Sequence, residues 1–235
     1  MKIAVVGATG RTGRQVVEQA LARGDDVVAL VRHPEALSGR GPGMAVAAAD
    51  VLDRTAVTDA LAGVDAVVST LGVGTSRQPT TVYSEGIANI LQAMDAHGIT
   101  RLAVISAVPA GPRTGQPFLQ RHVAIPVLQR LFGATYDDMR RMEALLRGSD
   151  LDWICLRPPR LVTKKATGRY RIDASRPRTA SITCADLATA LLDSLTNPDL
   201  YRRAAYVANL RRRPVPGRRT GAAADAGLLA GGRGW

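Results

Sequence analysis

Short runs rich in Val, Ile and Ala alternate along the chain with longer segments whose apolar residues recur every three or four positions. Lys2 to Val6, Asp26 to Val31, Met44 to Ala49, Ala66 to Leu71, Leu102 to Ser106 and Leu151 to Leu156 read as strands buried on both faces. Between them, Thr12 to Arg23 (closed by Gly24), Thr80 to Ala96 (closed by Gly98) and Asp137 to Arg147 (closed by Gly148) read as helices. A last helix runs from Ala185 to Leu195, before Pro198. Parallel strands need crossovers and the helices supply them. The pattern therefore predicts an α/β fold: a Rossmann-like doubly wound parallel sheet in three αβα layers. Gly111 to Gly115 and Pro158 to Arg178 break the alternation with Gly, Pro and Arg, and these two excursions are expected to build a substrate pocket.

The 235 residues suffice for one sizeable α/β core and not for two full domains. A single domain is expected over residues 1–209, substrate pocket included. The Arg-, Gly- and Ala-rich stretch 210–235 is expected outside the core, with at most a short helix over Ala222 to Ala230. Met1-Lys2 leads straight into a strand and no run is long enough to span a bilayer, so the expectation is a cytoplasmic protein without a membrane partner. The formal net charge is +11, but Arg202, Arg203, Arg211, Arg212, Arg213, Arg218 and Arg219 crowd the end of the chain. They lack interleaved aromatics and any nucleic-acid-binding motif, so a solvated tail is expected and a nucleic-acid partner is not. Cys155 and Cys184 lie far apart, and His33, His97 and His122 lack metal-ligand spacing, so neither a disulfide nor a metal site is expected.

The strongest chemical signal is Gly7-Ala8-Thr9-Gly10-Arg11-Thr12-Gly13, at the first strand-to-helix turn. Gly7 permits a tight turn, Gly10 lets backbone N–H groups approach a pyrophosphate, and Gly13 lets the helix pack close to the strand. The helix N-terminus adds the positive end of its dipole. The spacing is G-x-x-G-x-x-G rather than G-x-G-x-x-G; its position in a β-α-β unit is what makes it a dinucleotide signal.

After the second strand stands Val31-Arg32-His33, where NAD-preferring folds place a carboxylate against the ribose. Arg32 suits the 2′-phosphate of NADP, with Arg11 a second contact; the alternative is a solvated arginine. Asp50 stands where such folds set a carboxylate near the adenine amino group, or else it caps a helix near Asp53. Leu71-Gly72 is expected to pass beneath the cofactor, although Gly72 to Gly74 is also ordinary turn chemistry.

Together these features resemble the atypical short-chain dehydrogenase/reductase group, in particular the NAD(P)H-binding proteins similar to flavin reductase, also called biliverdin reductase B. The resemblance runs from Lys2-Ile3-Ala4-Val5-Val6-Gly7-Ala8-Thr9-Gly10 through Leu30-Val31-Arg32, Pro79-Thr80-Thr81-Val82-Tyr83-Ser84-Glu85-Gly86, Asn89-Ile90 and Ala96-His97-Gly98. It continues in Ser106-Ala107, Asp137-Asp138 and Arg157-Pro158-Pro159, covering about residues 2 to 209. It implies hydride transfer from NADPH to a flavin or a linear tetrapyrrole, the flavin being a substrate rather than a tightly held cofactor. It also implies that Gly7, Thr9, Gly10, Arg11, Thr12 and Gly13 form the phosphate turn, Arg32 the 2′-phosphate contact, Asp50 and Val51 the adenine edge, and Leu71 and Gly72 the ribose side. Tyr83, Ser106, Pro159 and Arg160 match positions around the nicotinamide, Ser106 and Pro159 toward the cofactor and Tyr83 and Arg160 toward the substrate.

Two departures bear on the acceptor. The family's histidine after the Pro-Pro pair is Arg160, and its second arginine beyond Arg32 is Ala36. Arg160 cannot donate a proton, though it can hold an anionic group, which favours flavin over biliverdin. The serine-tyrosine-lysine set of the wider superfamily is missing, since counting from Ser106 reaches Leu119 and Val123, and Tyr136 with Arg140 lies at too long an offset. Flavin reduction needs only two rings held face to face, so this absence is consistent with it. Ser106 then positions the nicotinamide amide or the substrate carbonyl, or merely ends a strand. The expected partner is a small planar acceptor and the expected state a monomer or homodimer. A nonenzymatic NADP-sensing regulator of the NmrA type is the alternative; a sugar-nucleotide epimerase is disfavoured by the short chain and the missing tyrosine-lysine pair.

Overall fold

The computed structural model describes residues 1–37, 41–74, 76–112, 125–174 and 181–210. Strands β1 (Lys2–Val6), β2 (Asp26–Val31), β3 (Met44–Ala48), β4 (Ala66–Ser69), β5 (Arg101–Ile105) and β6 (Asp152–Arg157) lie parallel in the order β3-β2-β1-β4-β5-β6. Each agrees with its sequence reading to within two residues. The sheet continues through β10 (Arg203–Asn209), parallel to β6, to β8 (Tyr170–Asp173), antiparallel at the edge. β7 (Arg160–Val162) and β9 (Ser181–Thr183) form a separate parallel pair.

Alternation along the strands sorts their side chains into two cores. In β1, Ile3 and Val5 face one layer and Ala4 and Val6 the other. The first layer is covered by α1 (Arg11–Ala22) and α5 (Cys184–Ser194), through residues such as Val16, Val17, Leu187 and Leu191. The second is covered by α2 (Arg54–Ala60), α3 (Val82–His97) and α4 (Ile125–Arg147), through Val57, Ile87, Ile90, Met142 and Leu146. The expected three αβα layers are present, and each fully buried Ile, Leu or Met contributes about 1.5–3 kcal/mol of transfer free energy.

Three parts of the pattern differ from the sequence reading. Helix α4 begins at Ile125 rather than Asp137, and is interrupted at Phe132 (φ −134°, ψ 22°) just before Gly133. Pro126 and Gly133 hide the first half, yet a proline is tolerated in a first turn and a local break does not end the helix. The Pro158 to Arg178 excursion contains β7 and β8, strands of three and four residues carrying arginine, too short to show periodicity. β10 was not foreseen because its Arg203-Ala204-Ala205 start lacks the branched residues of the other strands. The segment 211–235, with the helix expected over Ala222 to Ala230, lies outside the described residues, as does most of Gly111 to Gly115. No helix among the described residues is long and apolar enough to cross a membrane.

Two buried carboxylates tie the loops to this frame. Asp138 of α4 accepts from the backbone N–H groups of Tyr83 (2.9 Å) and Ser84 (3.4 Å) and from the Ser84 hydroxyl, so a neighbouring helix caps the start of α3. Asp186 of α5 accepts from the N–H groups of Thr167 and Gly168, the hydroxyls of Thr167 and Thr183, and Asn209 Nδ2, holding the segment before β8 against β10.

Candidate functional site

The first turn is pinned from both sides. Gly7 turns at φ +79°, and a Cβ there would meet the Thr70 carbonyl oxygen at 2.9 Å; a Cβ at Gly13 would lie 2.2 Å from the Gly7 carbonyl oxygen. The Thr70 hydroxyl donates to the Val6 carbonyl (2.9 Å), locking the end of β4 to the end of β1. Gly10 stands at the N-cap of α1 in extended conformation without a side-chain cap, and the first turn carries no acidic residue. An uncapped twelve-residue helix with this polarity at its start fits a phosphate.

That turn opens into a cleft of about 920 Å³ between the C-terminal ends of β1 and β4, where the strand order reverses. Gly7, Thr9, Gly10, Arg11 and Thr12 line one side. Arg32, exposed at the end of β2, and Asp50 and Val51, just past β3, line one end. The Asp50 carboxylate accepts from Leu52 N–H (3.0 Å), while Asp53 caps α2 through Ala56 N–H (3.1 Å); the helix-capping role thus falls to Asp53. Leu71 and Gly72 form the floor beside Val51, with Gly86 of α3 packed so closely beneath that a Cβ would meet Val51 and Leu71 at 3.0–3.1 Å.

Tyr83, Ser106, Pro159 and Arg160 line the opposite end. Tyr83 is buried, and its phenol oxygen accepts from Val73 N–H (3.3 Å), bracing the 71–74 loop. Burial, more than any neighbour, raises its pKa. Ser106 follows β5 and donates its hydroxyl to Glu143 Oε1 at 2.8 Å. Glu143, on α4, is 3% exposed and takes a two-point pair from Arg157: Nε to Oε1 at 2.9 Å and Nη2 to Oε2 at 2.5 Å. The ring of Tyr206 lies 5.5 Å from the Arg157 guanidinium, and the Cys155 thiol is 3.9 Å from Glu143 Oε1. Burial, and then Glu143, push that thiol's pKa well up.

Of the residues singled out in sequence, only Gly13 does not line the cleft; it sits behind the turn and sets its shape. The structure adds Thr70, Phe132, Thr135, Tyr136 and Met139 to the wall, and Glu143 and Arg157 beneath it. Phe132, Thr135, Tyr136 and Met139 follow i, i+3, i+4, i+7 spacing on one face of α4, a signal present in the sequence. The expectation that Tyr136 lies at too long an offset from Ser106 to join it needs correction, because Tyr136 lines the same cleft as Ser106. The linear offset misleads: β5 and α4 both deliver residues to the C-terminal edge of the sheet. Burial raises the Tyr136 pKa, which keeps its proton in place at neutral pH. The buried Thr135 hydroxyl has no hydrogen-bond partner among the described residues. None of the described His, Cys, Asp and Glu residues form a group that could hold a metal ion.

A doubly wound sheet with a glycine turn, an uncapped helix and a cleft at the strand-order reversal defines the class of Rossmann-type dinucleotide-binding proteins. Within that class the chain belongs to the NAD(P)H-binding family, whose model matches residues 7–198. Over 211 residues it is 28% identical to UPF0659 protein YMR090W of Saccharomyces cerevisiae, covering 85% of this chain and 88% of that one. It is 31% identical over 171 residues to a 3-diazoavenalumate denitrifying reductase of a Streptomyces species, covering 67% of this chain and 55% of the reductase. The chain thus spans about half the length of that enzyme. Its fold matches ChuY, an anaerobilin reductase from Escherichia coli O157:H7, with TM-score 0.73 at 22% identity over 91% of this chain and all of that one.

Proposed function

We propose that the protein is an NADPH-dependent reductase whose acceptor is a flavin or a similar planar ring system. The observation that carries this reading is the polarity of the cleft: an uncapped helix and two exposed arginines line one region, and a wall of Phe132, Met139, Pro159 and Leu161 lines another. NADPH supplies a hydride when bound. The turn Gly7 to Thr12 holds the pyrophosphate, Gly13 sets the turn, and Arg32 holds the 2′-phosphate; Asp50 and Val51 border the adenine and Leu71 and Gly72 the ribose. Ser106 and Pro159 orient the nicotinamide, and Tyr83 and Arg160 border the acceptor, where Arg160 suits an anionic substituent. The orphan Thr135 hydroxyl offers a further polar contact in the same wall.

The chain's own contribution is alignment of the two rings, since a reduced flavin takes its proton from solvent. Residues 1–209 form the working unit in this reading, and a chain truncated after Asn209 binds NADPH with unchanged affinity. The test is NADPH oxidation by purified protein with riboflavin, FMN and FAD as acceptors, expected to depend on both components. Tight NADPH binding without turnover on any planar acceptor would overturn it and favour an NADP-sensing regulator.

A further inference from the structure

We propose that Glu143 and Arg157 make Ser106 a hydrogen-bond acceptor toward the cleft, so that the site selects the NH₂ of the nicotinamide carboxamide rather than its carbonyl oxygen. This rests on the cofactor reading above and adds to it a polarity that neither the glycine turn nor the family likeness contains.

A serine hydroxyl has one proton. A carboxylate paired at both oxygens with a guanidinium offers only lone pairs, so the 2.8 Å contact between Ser106 Oγ and Glu143 Oε1 is a donation by Ser106. The carboxylate is held in place. Arg157 grips both of its oxygens, Arg147 Nη1 adds a second positive neighbour at 3.7 Å from Oε2, and the carboxylate is 3% exposed. The guanidinium is confined as well: the Tyr206 ring lies against it, and a Cβ on Gly111 would meet the Arg157 side chain at 3.1 Å. The Ser106 backbone N–H is used too, donating to the Leu156 carbonyl at 2.8 Å. Only the lone pairs of Oγ remain for a group in the cleft that Ser106 lines. A carboxamide offers both a donor and an acceptor, and only the donor suits that surface. Glu143 and Arg157 are then positioning residues, acting through Ser106.

The test compares three oxidised cofactors by titration calorimetry: NADP⁺, its 3-acetylpyridine analogue, which keeps the carbonyl and loses the NH₂, and its thionicotinamide analogue, which keeps the NH₂. Wild-type protein is expected to bind the thionicotinamide form within about twofold of NADP⁺ and the acetylpyridine form about tenfold more weakly. Ser106→Ala should erase that difference. In Glu143→Gln the amide NH₂ can donate to Ser106 Oγ and release the serine proton toward the cleft, so the acetylpyridine penalty should fall below about threefold. A merely structural role for Glu143 would weaken all three ligands in parallel and preserve their ratio, which overturns the proposal. So does equal binding of all three by wild type, or a penalty that survives Ser106→Ala. Binding of 2′-phosphoadenosine diphosphoribose, which lacks the nicotinamide, reports whether each variant keeps the rest of its site; should Glu143→Gln fail that control, Ser106→Ala alone decides. If wild type binds neither NADP⁺ nor this fragment, it is the cofactor reading that fails.

Discussion

A Cβ on Gly13 would lie 2.2 Å from the carbonyl oxygen of Gly7, so α1 packs against its own leading turn at a distance only glycine permits. The neighbours that would have to yield include backbone: the Gly7 carbonyl oxygen and, at 2.9 Å, the Ala8 Cα. Gly13→Ala is therefore expected to cost about 3 kcal/mol of stability, read as a shift of the denaturant midpoint, and to weaken dinucleotide binding at least tenfold. Gly72→Ala is the comparison, because nothing lies within 4 Å of its added Cβ; its stability should change by less than about 0.5 kcal/mol.

The contrast between these glycines shows what was legible in the sequence. Gly7, Gly10 and Gly13 could be read because their spacing reflects one local unit, strand to turn to helix. Five of the six parallel strands could be read because burial on both faces leaves a nearly continuous apolar run, as in Ile3-Ala4-Val5-Val6, while β3, a half-exposed edge strand, was legible only through its apolar composition. The α4 half of the site could not be read as readily. Phe132, Thr135, Tyr136 and Met139 carry helical spacing, but Pro126 and Gly133 disguise their helix. Ser106, Glu143 and Arg157 come from three elements and meet only after the sheet is assembled, so no local pattern links them. β10 and β8 are likewise products of tertiary pairing more than of intrinsic preference.

Asp186 gives the stability of the segment before β8 a pH dependence. Burial alone would raise its pKa, but hydrogen bonds from Thr167, Thr183 and Asn209 outweigh it and hold the carboxyl below the ordinary Asp value. A depressed folded-state pKa means that the stabilisation is complete above the unfolded-state value and is lost as pH falls through the folded one. Thermal melts should therefore show a falling Tm as pH drops through and below the ordinary carboxylate range. Asp186→Asn should remove that part of the slope and cost about 1–3 kcal/mol at neutral pH, since an amide cannot accept from all these donors.

Arg32 should set cofactor choice. It lines the cleft from an exposed position at the end of β2, where a 2′-phosphate contact is a charge-assisted hydrogen bond of about 1.5–3 kcal/mol. Arg32→Ala is expected to weaken NADPH about 10- to 100-fold and leave NADH within about twofold. Because the side chain is exposed, the gap between the two cofactors in wild type should narrow with added salt. Equal affinity of wild type for both cofactors at low salt would leave Arg32 a solvated arginine.

Tyr136 distinguishes the chemistry of the proposed reaction from that of an alcohol dehydrogenase. Its phenol lines the cleft together with Ser106, and burial raises its pKa, so it carries its proton at neutral pH. The residue one turn later, Arg140, is directed elsewhere: it pairs with Asp137 and donates to the Pro109 carbonyl. A cation beside the phenol would lower its pKa, and among the described residues none offsets the effect of burial here. If hydride passes to a stacked ring that takes its proton from water, Tyr136→Phe should lower turnover with flavin by less than about threefold, against the 10²–10⁴ expected from removing a general acid. Its main effect should then fall on KM, because the ring stays in the wall and only the hydroxyl is lost. A hundredfold loss of kcat, together with a pH profile whose alkaline limb disappears in the variant, would instead make Tyr136 the proton donor and point to a carbonyl as the group reduced.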